Sequence, residues 1–287
     1  MSQPLVTFVV PSLGRPTLRR ALESIDAQTS RSFEAILVMD GAPNCFEANS
    51  LRAEFPWLRL VLQNPSRVGV RNHAGAVRNR AIAEASTEWL AFLDDDDALS
   101  PSYVQWLAEE LAALAGGDAD SAVGAVDAVV FRMRTDKAGP AYRVLPPPGA
   151  RRLVEGQVGI SFAARRLPKC LGGAEEFRFV PGGTEDFAAL DGLLRRGAAV
   201  LLSPRVAYFV ELDPEPPATA PAMPPATAPA TAPATAPAMP PATAPAMPPA
   251  SAPSAAFSAA PSDAPSAAFG AAFGAAARPT DRFVLRR

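Results

Sequence analysis

What most limits the fold of this chain is a long run of alanine, proline, threonine, serine and methionine, with phrases such as ATAPAMPPATAPATAP, from Asp213 to Ala277. Each proline removes a backbone donor and fixes φ, so neither a helix nor a sheet ladder can run through closely spaced prolines. Residues 213–281 are therefore expected to be a disordered, extended, polyproline-like tail, most simply a spacer. The alanines of this stretch inflate the 48% hydrophobic share, because no core will use them. What remains is residues 1–212, one domain's worth and ample for a single α/β core. The basic C-terminus, 282–287, is too short to interpret.

Within 1–212, strand and helix signals alternate. Leu5–Val10 is a strand, and from Arg15 the apolar spacing changes to that of a helix through Leu18, Leu22 and Ile25. Ala35–Met39, Leu58–Leu62, Trp89–Leu93 and Ala128–Arg134 are further strands, and Asn72–Ala85 is a helix rich in alanine and arginine. Ser100-Pro101 offers an N-cap and a first-turn proline to a helix lined by Val104, Leu107, Leu111 and Leu114, stopped by Gly116-Gly117. Residues 135–180 are less regular. Thr184–Arg196 returns to helical spacing, and Val200–Leu202 and Val206–Val210 look like short closing strands. Strands separated by helices imply a mostly parallel sheet with right-handed crossovers and helices on both faces.

Asp94, Asp95, Asp96 and Asp97 close the apolar run Trp89–Leu93. In open α/β sheets ligands sit outside the carboxyl ends of the strands. Four carboxylates in a partly dry cleft repel one another, and a hard divalent cation, Mg²⁺ or Mn²⁺, relieves that repulsion. Such an ion shares its remaining positions with substrate phosphates when the protein supplies few ligands. Asp40, after the second strand, can converge on the same cleft. Asp186, at the start of the last helix, can point back into it.

A formal charge of −2 argues against a nucleic-acid binder. Cys45 and Cys170, the only cysteines, fit neither a disulfide framework nor a paired metal motif and are expected to be free thiols. The start, MSQPLVTFVVPSLGR, lacks the pattern of a signal peptide. No uninterrupted apolar stretch reaches the ~18 residues of a spanning helix. The expectation is a cytoplasmic protein without a membrane span.

Four segments, FVVPSLGRPTLRRALESIDAQT, LVMDGA, GAVRNRAIAEASTEWLAFLDDDD and GGTEDFAALDGLLRRG, occur in that order. On them the chain resembles the family 2 glycosyltransferases of the GT-A fold, over Val6 to Val210 and none of the tail. The resemblance implies that Pro11, Ser12 and Arg15 border the nucleotide of a nucleotide-diphosphate sugar, with a UDP-sugar the first expectation. Asp40 would face the base or ribose. Arg78 and Asn79 would lie by the nucleotide, with Arg78 the first expectation for a contact, and Asp94 and Asp95 on the ribose side. Asp96, with Asp97, would hold Mn²⁺ or Mg²⁺ bridging the diphosphate. Asp186 would be the base that deprotonates an acceptor hydroxyl, and Glu185 would orient groups around it. The implied reaction is an inverting, metal-dependent transfer to an acceptor that the sequence does not identify.

Departures from the family pattern are Met39 in place of the first Asp of Asp-Asp-Gly, and the lack of any histidine after His73. The Gln-x-x-Arg-Trp motif of processive synthases is also missing after Asp186, which favours addition of one sugar. A sugar-phosphate nucleotidyltransferase would carry a glycine-rich Gly-Thr-Arg loop where this chain has Pro-Ser-Leu-Gly-Arg. An aspartate-nucleophile phosphatase would carry Asp-x-Asp-x-Thr, whereas Ala98-Leu99 follows Asp97 here. A sugar-nucleotide-binding pseudoenzyme differs from the transferase in binding the donor without turnover.

Overall fold

The computed structural model describes residues 3–41, 45–64, 74–115, 126–135, 143–180, 184–210 and 282–286. The proline-rich stretch, His73, Gly116-Gly117 and Gly182-Gly183 lie outside the described residues. In chain order the elements are β1 (Val6–Ser12), α1 (Leu18–Asp26), β2 (Phe33–Asp40), α2 (Cys45–Glu54), β3 (Leu58–Gln63), α3 (Ala74–Ile82), β4 (Trp89–Phe92) and β5 (Ala98–Leu99). They continue with α4 (Tyr103–Ala115), β6 (Ala128–Thr135), β7 (Arg143–Leu145), β8 (Phe162–Arg165), α5 (Glu185–Arg195), β9 (Val200–Val210) and β10 (Phe283–Leu285).

One sheet collects the strands in the order β10-β9-β6-β8-β4-β1-β2-β3, with β5 on β9 and β7 on β6. β3, β2, β1 and β4 are parallel, as the strand–helix alternation requires. β8 runs antiparallel between β4 and β6, which restores the original direction for β6 and its parallel neighbour β9. The sheet is thus mostly parallel with one reversed strand in its centre. β1 is buried along its whole length, as expected for a strand covered on both faces. Phe8, Phe92, Phe131, Phe162, Trp89 and Tyr103 form much of the core.

The helices are placed by their apolar faces. Leu18, Ala21, Leu22 and Ile25 of α1 are buried, the spacing that one stripe of a helix needs. Gln28, just past α1, joins it to α4: its Nε2 donates to Ser100 O at 2.8 Å, and its Oε1 accepts the Val104 N–H at 3.1 Å. That contact satisfies one of the donors a helix start leaves open, beside the partial cap from Ser100 Oγ to Ser102 N.

The second half departs from its sequence reading. Val200–Val210 is a single strand rather than two, because Pro204 sits in a bulge. Val130 faces Leu202 and Arg132 faces Val206, so Ser203, Pro204 and Arg205 bow out of the ladder, where a missing N–H costs nothing. Ser203 and Arg205 thereby reach the carboxylate of Glu110, which is fully buried. Arg282 completes the set at 2.8 Å, and β10 pairs antiparallel with Val200–Leu202 of β9. The C-terminus is therefore an edge strand of the domain, anchored by Leu285 in the core and a buried ion pair. Cys170 carries a free thiol.

Removing residues 282–287 takes away the Leu285 burial and one of the two arginines on Glu110. The truncated protein is expected to lose roughly 2–5 kcal/mol of unfolding free energy. Urea denaturation followed by circular dichroism measures it, and an unchanged midpoint would mean that β10 contributes no seat.

Candidate active site

The acidic turn after β4 is tight, closed by the Asp97 N–H on Asp94 O at 3.2 Å. Its carboxylates alternate in exposure: Asp94 and Asp96 are half-buried, while Asp95 and Asp97 are 5% and 6% exposed. The buried pair is possible because each acid meets donors. Asp95 accepts from Ser12 Oγ at 2.7 Å, from the Leu13 N–H at 3.3 Å and from Arg15 at 3.3 Å. Asp97 accepts from the Tyr208 hydroxyl at 2.7 Å. Burial raises the Asp95 pKa, with Ser12 and Arg15 opposing the rise. Arg15 also reaches Asp96 at 2.7 Å. One oxygen each of Asp94, Asp96 and Asp97 lies within 4.8 Å of the others.

Arg78, on α3, joins this turn to the start of α5. Its side chain is 4% exposed and pairs with Asp94 at 2.5 Å, Asp186 at 3.4 Å and Glu185 at 3.6 Å. Burial alone would lower its pKa, but Asp94 and Asp186 overcome that and raise it, so the guanidinium stays charged. The Phe179 ring stacks on it at 5.2 Å. Phe179 is itself held by Asn79, whose side chain exchanges two 2.9 Å hydrogen bonds with the Phe179 backbone.

Glu185 is 6% exposed and accepts the Gly75 N–H at 2.6 Å. A Cβ at Gly75 would stand 2.8 Å from that carboxylate oxygen, so glycine is what allows α3 and α5 to meet there. Burial pushes the Asp186 carboxyl up to about 6, with Arg78 pulling it down and Asp94 and Glu185 adding to the rise. A cavity of about 380 Å³ opens at this junction, lined by Arg78, Asp94, Thr184, Glu185, Asp186 and Phe187 among others. A second, of about 360 Å³, shares Asp94, Gly156 and Asp186 with it and continues past Asp97, Thr135, Arg143 and Tyr208.

The structure brings Asp94, Asp96, Asp97, Arg78, Glu185 and Asp186 together from three separate stretches of chain. Pro11 and Ser12 end β1 beside them, and Pro11 pairs with Val38 of β2. Asp40 ends β2 on the same side of the sheet and holds Gln63 at 2.9 Å. Several residues that the family resemblance set against the nucleotide have protein partners, Ser12 and Arg15 on Asp95 and Asp40 on Gln63 among them. Asp95 is committed to the β1–α1 loop, and Arg78 is buried among carboxylates. Tyr208 and Gly75 were missed. Nothing in the sequence marks a tyrosine in an apolar strand or a glycine near a helix start as part of a site.

The sequence model described as Glycosyl transferase family 2 matches residues 7–165, more than half of the 287 residues. Among curated proteins the chain is 31% identical over 107 residues to the uncharacterized glycosyltransferase YwdF of Bacillus subtilis, covering 37% of this chain and 38% of that one. It is 33% identical over 107 residues to the succinoglycan biosynthesis protein ExoO of Rhizobium meliloti, covering 37% of this chain and 29% of that one. The chain thus matches well under half the length of these relatives. Among solved structures, S. aureus TarS 1-349 in complex with UDP-GlcNAc superposes with a TM-score of 0.53 at 15% identity, over 73% of this chain and 59% of that one. A second crystal structure of S. aureus TarS 1-349 gives 0.54 at 14% identity, over 72% and 60%. The fold is the GT-A α/β arrangement.

Replacing Arg78 by Met leaves three carboxylates without their shared cation, and about 3–5 kcal/mol of stability is expected to be lost at pH 7. Asp186 already has a folded pKa raised to about 6. Without Arg78 it rises further above the unfolded value, so the folded variant binds protons more readily than its unfolded chain. The deficit relative to wild type should therefore shrink as pH falls from about 7 to 5. Urea midpoints across that range test it, and a deficit independent of pH would refute the electrostatic account.

Proposed function

Because the chain belongs to glycosyl transferase family 2, we propose that it moves one sugar from a nucleotide-diphosphate sugar to an acceptor hydroxyl, with inversion at the anomeric carbon. The observation that carries this reading is the Arg78 bridge between Asp94, at the end of β4, and Asp186, at the start of α5. It gathers a donor-side acid and a candidate base around one cavity.

Asp186 suits the base. Its carboxyl, raised to about 6, is ionised at neutral pH yet basic enough to accept a proton. The acceptor oxygen attacks the anomeric carbon from the face opposite the diphosphate, the bond from that carbon to the diphosphate oxygen breaks, and the acceptor proton passes to Asp186. Arg78 keeps Asp186 aimed and offsets its charge. Glu185, fixed by the Gly75 N–H, would orient the groups around Asp186.

Three carboxylate oxygens within 4.8 Å of one another form a hard donor set that fits Mn²⁺ or Mg²⁺. Asp96 and Asp97 would hold the ion, with Asp94 beside them, and the ion would act as a Lewis acid offsetting the charge of the departing diphosphate. Arg15, which now pairs with Asp96, stands in the first strand-to-helix loop and is suited to a phosphate once released. Pro11, Ser12 and Asp40, at the carboxyl ends of β1 and β2, would border the nucleoside. The UDP-GlcNAc complex of TarS makes UDP-sugars the first donors to try.

Three results are expected. Thermal unfolding in Mn²⁺ should rise with one of UDP-, GDP- or dTDP-sugars, and Asp96→Ala should abolish the rise. Asp186→Asn should keep the rise and lose about 10²–10⁴-fold in kcat. The wild-type rate should fall as pH drops through about 6, because protonating Asp186 removes the base. Should no sugar nucleotide stabilise the protein at any Mn²⁺ concentration, the reading is wrong. Stabilisation without turnover by any acceptor would point instead to a binding protein.

A further inference from the structure

Tyr208 lies more than a hundred residues beyond the acidic turn, yet it is tied to that turn twice. Its Oη donates to Asp97 Oδ2 at 2.7 Å and accepts the Asp94 N–H at 3.2 Å. The side chain is fully buried. The backbone that carries it is held on both sides: Tyr208 pairs with Leu99 of β5 and with Met133 of β6, and the Ser100 N–H donates to Ala207 O at 2.9 Å. The hydroxyl cannot follow the turn if the turn moves, so the turn conforms to the hydroxyl. Burial, with Asp97 and Asp94 close by, pushes the phenol pKa up, and the group remains a donor.

We propose that Tyr208 is a positioning residue for the cation-binding carboxylates. It holds the Asp97 side chain and the Asp94 backbone so that the oxygens of Asp94, Asp96 and Asp97 stay gathered, and it thereby sets the affinity for a divalent ion. Like charges left to themselves spread apart. A neutral donor fixed to rigid strands holds one of them in place without supplying a competing positive charge. Groups that orient metal ligands in this way change metal affinity about 10–100-fold when removed. The proposal rests on the transferase reading only in placing a cation on these acids.

Tyr103 provides the control. It too is fully buried, in α4, but its hydroxyl has no hydrogen-bond partner among the described residues, the acids of the turn included. Losing a buried hydroxyl is common to Tyr103→Phe and Tyr208→Phe; contact with the acids is not.

The test uses the full chain and Mn²⁺ alone, with free Mn²⁺ counted by electron paramagnetic resonance and metal-free unfolding recorded beside it. Tyr208→Phe is expected to raise the Mn²⁺ Kd about 10–100-fold, and Tyr103→Phe to leave it within about two-fold. Asp97→Asn should weaken binding at least about ten-fold, and adding Tyr208→Phe to it should weaken it by less than Tyr208→Phe does alone, since part of what the hydroxyl holds is already lost. A Tyr208→Phe protein that folds and binds Mn²⁺ like wild type overturns the proposal and leaves the transferase reading standing. If that variant does not fold, Asp97→Asn decides, and an unchanged Kd there overturns the proposal. A wild-type protein that binds no Mn²⁺ overturns both this proposal and the metal-dependent form of the transferase.

Discussion

A guanidinium that is 4% exposed survives inside a protein only where carboxylates surround it, and Arg78 has three. Its position therefore dictates theirs. α3 packs on β1 and β2, so Arg78 is delivered to the carboxyl end of the sheet by the first half of the domain. Asp94 arrives from the end of β4, and Asp186 and Glu185 from the first turn of α5. Moving any of these elements leaves charge stranded in a poorly solvated place. The same ion cluster that makes the junction costly to disturb also aims the acid best suited to chemistry. Stability and function share one constraint here, which is why α3 must approach α5 at a glycine.

The four aspartates divide into two kinds, and the geometry of the turn makes the division. The turn closed by the Asp97 N–H on Asp94 O sorts the four side chains by the partners they meet. Asp95 and Asp97 turn inward, where Ser12, the Leu13 amide and Tyr208 receive them, while Asp94 and Asp96 turn to the cleft. The inward acids lock the turn to β1 on one side and to β9 on the other. The outward acids can then be held close together, as a cation needs and mutual repulsion resists. A run of four identical letters thus contains two jobs, structural and chemical, with Asp97 reaching into both.

Much of the first half was legible. LVTFVV, AILVM and WLAFL are dense apolar runs that form strands almost wherever they occur, and Leu18, Leu22 and Ile25 lie on one face of α1 as their spacing implies. α2 was not read, because its apolar spacing is weak. β5, β7 and β8 are two to four residues long, too short for a period to show. Pro204 broke β9 into two in the sequence, since a proline in a strand normally ends it; only the register of β6 reveals a bulge instead. Asp94 and Asp186 could be assigned to one cleft because one follows a strand and the other opens a helix, and Arg78 bridges them. The partners of Asp95 were not legible, nor was the reach of Arg78 to Asp186, because a contact across eighty or more residues leaves no local trace.

β9 explains why the less readable half matters. Its bulge at Ser203–Arg205 turns two side chains onto Glu110, and the strand on one side of that bulge accepts β10 at the sheet edge. On the other side it presents Tyr208 to the acidic turn. A bulge shifts register, so the number of residues bowed out determines which side chain faces Asp97. Three extra residues on β9, two between the Val130 and Arg132 pairings and Ala207 between those of Arg132 and Met133, bring a tyrosine into that place. Side chains in a strand alternate faces, so one residue more or fewer would send the hydroxyl to the opposite face of the sheet. The proline that seemed to end the strand is thus part of what sets the register by which the far half of the sheet meets the acids of the near half.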